Sequence, residues 1–169
     1  YNNIRRVIKM NIAILLAGGS GTRMGSDIPK QFIDIYGKPM IIHTLESFDM
    51  NPEIEKIMVV CKSEWQEDLK IWIRKFGLNK VRGIVNGGDT RQESVYNAIR
   101  ALDGECSEDD ILVIHDAARP LISQRIINEN IIGAKEHGAV DTVIPSADTI
   151  VKSINNETIA TITKRSELY

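Results

Sequence analysis

The sequence predicts an α/β fold, a mostly parallel sheet with helices on both faces. Three observations carry this. Continuous apolar runs at residues 12–17 (IAILLA), 57–61 (IMVVC) and 111–115 (ILVIH) have the character of strands buried on both faces. Amphipathic helical patterns separate these runs, and strands alternating with helices imply a parallel sheet. Polar clusters at residues 18–30, 87–91 and 115–119 follow strand candidates directly. In such sheets ligands bind outside the carboxyl ends of the strands.

The elements follow in order. Residues 1–9 are polar and basic without an apolar core, so they do not read as a secretory signal. Met10 reads as a natural start, with residues 1–9 an extension and residues 10–169 a single domain. After the first strand, Pro39 suits a first helical position, with Ile41, Leu45 and Phe48 on one face. Trp65, Leu69, Trp72 and Phe76 form a second helical stripe; their spacing assigns the two tryptophans to core packing rather than base stacking. Residues 81–85 and 140–144 are weaker strand candidates. Val95, Ala98, Ile99 and Leu102 give a third helical face. Ile127, Ile131 and Ala134 give a fourth, capped by Ser123.

A chain of 169 residues can bury a real core, and 43% apolar with 26% charged residues is ordinary for a globular domain. A net charge of -2 argues against a general nucleic-acid binder. Up to Lys38, however, six basic residues face two acidic ones, a local surplus suited to a polyphosphate. Cys61 and Cys106 make no disulfide framework, which fits a reducing cytoplasm. No apolar stretch has the length of a membrane span.

The loop from Ala17 to Gln31 contains AGGSGTRMGSDIPKQ. Gly18, Gly19 and Gly21 allow a phosphate to approach main-chain N–H groups. Arg23 offers a planar fork and Lys30 a compact point charge. A P-loop needs lysine directly after its last glycine, and Lys30 stands too far along. The dinucleotide fingerprint fails because Met24 holds its third glycine place, which disfavours a nicotinamide enzyme.

Gly87-Gly-Asp-Thr-Arg-Gln-Glu-Ser94 precedes the third helix. Asp89 reads as its N-cap, with Gln92 completing a capping box, and Arg91 and Ser94 lie in a first turn that favours an anion. In His115-Asp-Ala-Ala-Arg-Pro120, Asp116 suits a divalent metal bridging phosphate oxygens, or else a structural ion pair with Arg119. His115 ends a strand and reads as a packed, hydrogen-bonded side chain rather than a base. His43 and His137 carry no specific signal.

Leu16-Ala-Gly-Gly-Ser-Gly-Thr-Arg-Met-Gly25 with Pro29-Lys-Gln-Phe32 resembles the signature of nucleotidyltransferases with the Rossmann-like nucleotide-diphospho-sugar transferase fold. Within them, the chain is similar to the cytidylyltransferases of sugar-alcohol phosphates. The resemblance implies transfer of CMP from CTP to a polyol phosphate, with Mg²⁺ as cofactor. It implies Arg23 and Lys30 as catalytic residues. Ala17, Gly18, Gly19, Gly21, Thr22, Gly88, Asp89, Arg91, Ser94 and Ala117 would bind nucleotide. Asp116, Arg119, Thr149 and Arg165 would bind acceptor, with Asp116 also a metal ligand. The arginine-containing segment and the His-Asp-Ala-Ala-Arg-Pro motif look most like 2-C-methyl-D-erythritol 4-phosphate cytidylyltransferase, the expected reading. The Leu16-Ala-Gly-Gly start and residues 42–44 and 139–143 look equally like ribitol-5-phosphate cytidylyltransferase, the alternative. Lys164 departs from the first family, which usually carries Asp there. A non-catalytic CTP-binding domain is the second alternative.

The resemblance also implies a cytoplasmic homodimer built through a projecting arm. It further implies several dozen residues beyond residue 169, a C-terminal portion this chain is expected to lack. A phosphate monoester is already largely ionised at neutral pH, its second pKa being about 6. The expected nucleophile therefore needs no general base, and positive charge is the main requirement.

Overall fold

The computed structural model describes residues 9–19 and 28–168. Strand β1 (Asn11–Ala17) leads into the first polar cluster, and a short 3-10 turn (Lys30–Phe32) follows it. A tight hairpin pairs β2 (Asp34–Ile35) with β3 (Lys38–Pro39). Tyr36 and Gly37 form its turn at positive φ, and Asp34 Oδ1 accepts from the Gly37 N–H at 2.8 Å. Then come helix α1 (Met40–Asp49), β4 (Lys56–Cys61), α2 (Gln66–Lys75), β5 (Val81–Asn86), α3 (Arg91–Ala101), β6 (Ile111–Asp116) and α4 (Gln124–His137). A second hairpin joins β7 (Val151–Ser153) to β8 (Ile159–Ile162).

The main sheet has the order β5-β4-β1-β6, and every pairing within it is parallel. Period-two alternation splits β1 between two cores. Ala13, Leu15 and Ala17 join Ile41, Leu45, Phe48, Leu69 and Ile127 on one face; Ile12 and Ile14 join Ala98 and Leu102 on the other. Thus α1, α2 and α4 cover one side and α3 covers the other, as the alternating pattern predicts. The tryptophans are partly buried and pack against the core: Phe32 stacks on Trp65 with ring centroids 4.5 Å apart and tilts against Trp72 at 5.9 Å.

Two boundaries differ from expectation. Pro39 ends β3 and caps α1 from outside, so Met40 is the first helical residue. Residues 140–144 form no strand. Their β-branched run joins no ladder, and the outer edge of β6 carries no partner among the described residues. Thr142 is held instead by Asn130 of α4, whose Nδ2 donates to its Oγ1 at 2.7 Å, while Val143 and Ile144 face solvent.

Cys61 ends β4 with no solvent exposure. Burial, helped by the Glu64 carboxylate, pushes its thiol up to about 12. The unfolded thiol ionises near 9.0, so rising pH between these values favours the unfolded chain. In the native protein at pH 8, alkylation should label part-buried Cys106 and spare Cys61 until unfolding. Mass-mapped labelling that reaches Cys61 as fast as Cys106 would contradict this.

Candidate functional site

The parallel sheet brings the carboxyl ends of β1, β5 and β6 to one edge. Gly18 and Gly87 lie side by side: a Cβ built on Gly87 would stand 3.8 Å from the Gly18 Cα and 3.3 Å from Ser94 Oγ. Ser94 Oγ accepts from the Gly88 N–H at 3.0 Å. On the other flank, the Ala117 N–H donates to the Leu16 carbonyl at 3.0 Å, extending the β1–β6 ladder by one rung. The described start of the first cluster therefore adjoins the other two.

Side-chain donors anchor the strand ends. The buried Thr44 hydroxyl of α1 donates to the Ala117 carbonyl at 2.7 Å. Gln66 Nε2 donates to Asn86 Oδ1 at 2.7 Å and the Cys61 carbonyl at 3.3 Å, tying the ends of β4 and β5. Gln31 Nε2 donates to the carbonyls of Ala17 and Gly19.

The Asp89 expectation is corrected. Thr90 is the N-cap of α3, its Oγ1 accepting from the Glu93 N–H at 3.0 Å. Glu93, not Gln92, reaches back, and its Oε2 accepts from the Asp89 N–H at 2.8 Å. Spacing explains the shift: Thr90-x-x-Glu93 is itself a capping box, one residue along from the one expected. Gly88 has no room for a side chain, since a Cβ there would meet Glu93 Cγ at 2.3 Å.

Asp116 accepts from Arg119 Nε at 3.0 Å and lies 3.6 Å from an Arg91 Nη2. The ion pair weighed from sequence is therefore present, and it joins two clusters. All three side chains are substantially exposed and face an open groove of ≈ 1230 Å³ that also includes His115, Leu121 and Thr142. His115 behaves as expected of a packed residue. Its Nε2 bonds the Arg119 carbonyl at 3.0 Å, its ring lies against Phe48, and burial holds it below the ordinary imidazole pKa of 6.5.

A magnesium ion carried in on phosphates would find the Asp116 carboxylate here, exposed and paired with two guanidinium groups. Such an ion takes one or two protein carboxylates and draws its other ligands from phosphate and water. Among the described residues no cluster of three or more His, Cys, Asp or Glu side chains offers a self-sufficient cage.

Lys30 is exposed on the 3-10 turn. Gly21, Thr22 and Arg23 lie outside the described residues. Thr149 and Arg165 meet each other, Arg165 Nη2 donating to Thr149 Oγ1 at 3.3 Å, at the base of the β7–β8 hairpin. Among the described residues no hydrogen bond or ion pair joins them to Asp116.

Residues 11–169 match the profile of the IspD family, 2-C-methyl-D-erythritol 4-phosphate cytidylyltransferase. The chain belongs to this family. Among curated relatives of this IspD-family chain is a ribitol-5-phosphate cytidylyltransferase of Lacticaseibacillus paracasei, 45% identical over 141 residues. That match covers 83% of the chain and 60% of the relative. A protein of the same name from Vibrio parahaemolyticus is 42% identical over 158 residues, 93% of the chain and 66% of the relative. The chain thus spans less than two thirds of the length of these relatives. A crystal structure of 4-diphosphocytidyl-2C-methyl-D-erythritol synthase from Anaerococcus prevotii superposes with a TM-score of 0.77 at 25% identity, over 95% of the chain and 66% of that protein. The Rossmann-like nucleotidyltransferase fold expected from sequence is the fold of this family member.

Sequence reasoning passed over Thr44, Gln31 and the Thr90–Glu93 box. Thr44 had a signal: it is a hydroxyl on the apolar stripe of α1, and a buried hydroxyl needs a partner. The cap assignment can be tested by denaturation. Thr90→Ala should cost about 1 kcal/mol, whereas Asp89→Ala should stay within about 0.5 kcal/mol. The reverse ranking would restore Asp89 as the cap.

Proposed function

We propose that this IspD-family chain forms the nucleotide-binding part of a cytidylyltransferase that joins CMP from CTP to ribitol 5-phosphate, releasing pyrophosphate. The observation that carries the acceptor is the name shared by the 45% and 42% identical relatives. This departs from methylerythritol phosphate, the acceptor expected from sequence. Lys164 agrees with the change, since it stands where the methylerythritol enzymes usually carry Asp. The methylerythritol reading keeps support from the family's namesake activity and the 25% identical solved structure.

In this reading the glycine-rich segment at the end of β1 and the first turn of α3 receive the triphosphate. Gly18 and Gly19 leave main-chain N–H groups open to phosphate oxygens, Gly88 lies beside them with its own N–H held by Ser94, and Ser94 and Arg91 line the second wall. Ala17 and Ala117 form the floor beside them, and Gly21, Thr22 and Asp89 complete the nucleotide set. Arg119, Thr149 and Arg165 hold the acceptor phosphate. One oxygen of that phosphate attacks the α-phosphorus of CTP, the new P–O bond forming as the bond to pyrophosphate breaks. Arg23 and Lys30 offset the negative charge that builds on the leaving group. A Mg²⁺ held through Asp116 would neutralise phosphate charge at the same place, and Arg91 and Arg119, which pair with Asp116 in its absence, would then be left to phosphates.

Pyrophosphate release from CTP and Mg²⁺, measured with each acceptor in turn, tests the assignment. Ribitol 5-phosphate should be used at least about tenfold more efficiently than methylerythritol phosphate. The opposite preference restores the family's namesake reaction, and CTP binding without turnover supports a non-catalytic domain. Lys30→Ala should keep its fold and lose roughly a hundredfold or more in turnover. A near-normal rate in that variant would remove Lys30 from the mechanism.

We further propose that the β7–β8 hairpin is the arm of a homodimer. Ile154 is 87% exposed, and Ile159 and Ile162 are each more than 60% exposed, on a hairpin paired only with itself. Two-stranded hairpins are marginal alone in water. Ile162→Asp should convert a dimer to a monomer by sedimentation; a wild-type chain that sediments as a monomer would refute the arm.

A further inference from the structure

We propose that Gln31 is a positioning residue. Its side-chain amide ties the turn that carries Lys30 to the start of the glycine-rich segment, so that lysine and backbone amides address one anion together.

Gln31 is only 3% exposed. A carboxamide nitrogen has two N–H donors, and here both are used, at 2.7 Å on the Ala17 carbonyl and 2.9 Å on the Gly19 carbonyl. Ala17 is the last residue of β1, where the sheet ladders run out. A buried carbonyl there needs a donor from elsewhere. In a planar trans peptide the C=O and the following N–H point in opposite directions. Holding the Ala17 oxygen inward therefore turns the Gly18 N–H away from Gln31, toward the side where a phosphate would lie.

The same contact locates Lys30. Lys30–Phe32 is one 3-10 turn, closed by the Phe32 N–H on the Pro29 carbonyl at 2.8 Å. Three residues per turn send three side chains in three directions. Phe32 goes into the core against Trp65 and Trp72, and Gln31 goes to the end of β1. Lys30 is left facing solvent with its Cα fixed by both neighbours. Glutamate has the same shape but cannot donate when ionised, and its charge would face two carbonyl oxygens. Methionine has the length without the donors.

The inference rests on the nucleotide reading of this loop. It is tested in the full chain with Gln31→Met, Lys30→Ala and the double variant, by calorimetric affinity for CTP with Mg²⁺ and by kcat. Gln31→Met should weaken CTP about tenfold and lower kcat about a hundredfold, the scale of a misplacement near 1 Å. In the Lys30→Ala background the same change should lower kcat by less than about threefold, because residues acting as a unit are not additive. Losses that multiply, or an unchanged CTP affinity, would overturn the proposal in favour of a merely structural glutamine. The binding measurement needs no turnover, so a chain inactive with every acceptor removes the proposed reaction without deciding the role of Gln31. Where Gln31→Met fails to fold, Q31E replaces it. Protonation restores one donor, so its CTP affinity relative to wild type should rise from pH 8 to pH 5.5, and a flat ratio counts against positioning.

Discussion

The molecule depends on β1 being hydrogen-bonded along both edges and covered on both faces. Its ladders run to β4 on one side and β6 on the other. Its side chains from Ile12 to Leu15 have no solvent exposure. A strand in that position has no freedom to slide, because a one-residue slip would exchange its two cores. Whatever follows its last residue therefore starts from a fixed point. All of its neighbours are parallel, so their carboxyl ends lie at the same edge and their loops must converge. The site is a consequence of sheet polarity before any functional residue is considered.

Convergence alone leaves loops loose, and the chain removes that looseness with side-chain donors on strand-end carbonyls. Thr44 holds the turn after β6, Gln66 ties β4 to β5, and Gln31 reaches the end of β1. Each contact satisfies a polar atom where a ladder stops, which burial would otherwise penalise. Each also sets the orientation of a peptide unit beside the candidate ligand. The electrostatic part is different in kind. Asp116 with Arg91 and Arg119 is an exposed, solvent-screened trio. Such pairs hold little stability, so their members can change partners at little cost to the fold.

The sheet was legible because apolar runs of five or six residues between amphipathic helices permit few arrangements. The convergence of the three clusters was legible for the same reason. Residues 140–144 misled because β-propensity describes fitness for a pleated surface and says nothing of whether a partner strand is present. Asp89 misled because two overlapping boxes compete, and only the φ/ψ of Thr90 selects between them. The two hairpins were missed, although each has a turn signal. Tyr36-Gly37 follows an aspartate that accepts from the turn. Asn155 Oδ1 accepts from the N–H groups of Glu157 and Thr158, with Asn156 at positive φ. Gln31 carried no signal as a single residue, since its meaning lies in a carbonyl fourteen positions earlier.

The division of the chain bears on why acceptor and donor differ in legibility. On the proposed reading, donor contacts come from loops attached to the parallel sheet, and each loop is a contiguous motif. Thr149 and Arg165 instead flank the β7–β8 hairpin, a separate two-stranded sheet with its own turn. Changes there leave the register of β1 untouched, so acceptor choice can vary while the nucleotide edge stays fixed. On the proposed reading this division allows one chain to match a profile named for one polyol phosphate and relatives named for another. Motifs at the sheet edge leave the acceptor undecided for a chemical reason as well: on that reading Arg119, Thr149 and Arg165 meet a phosphate, the group that both candidate acceptors share.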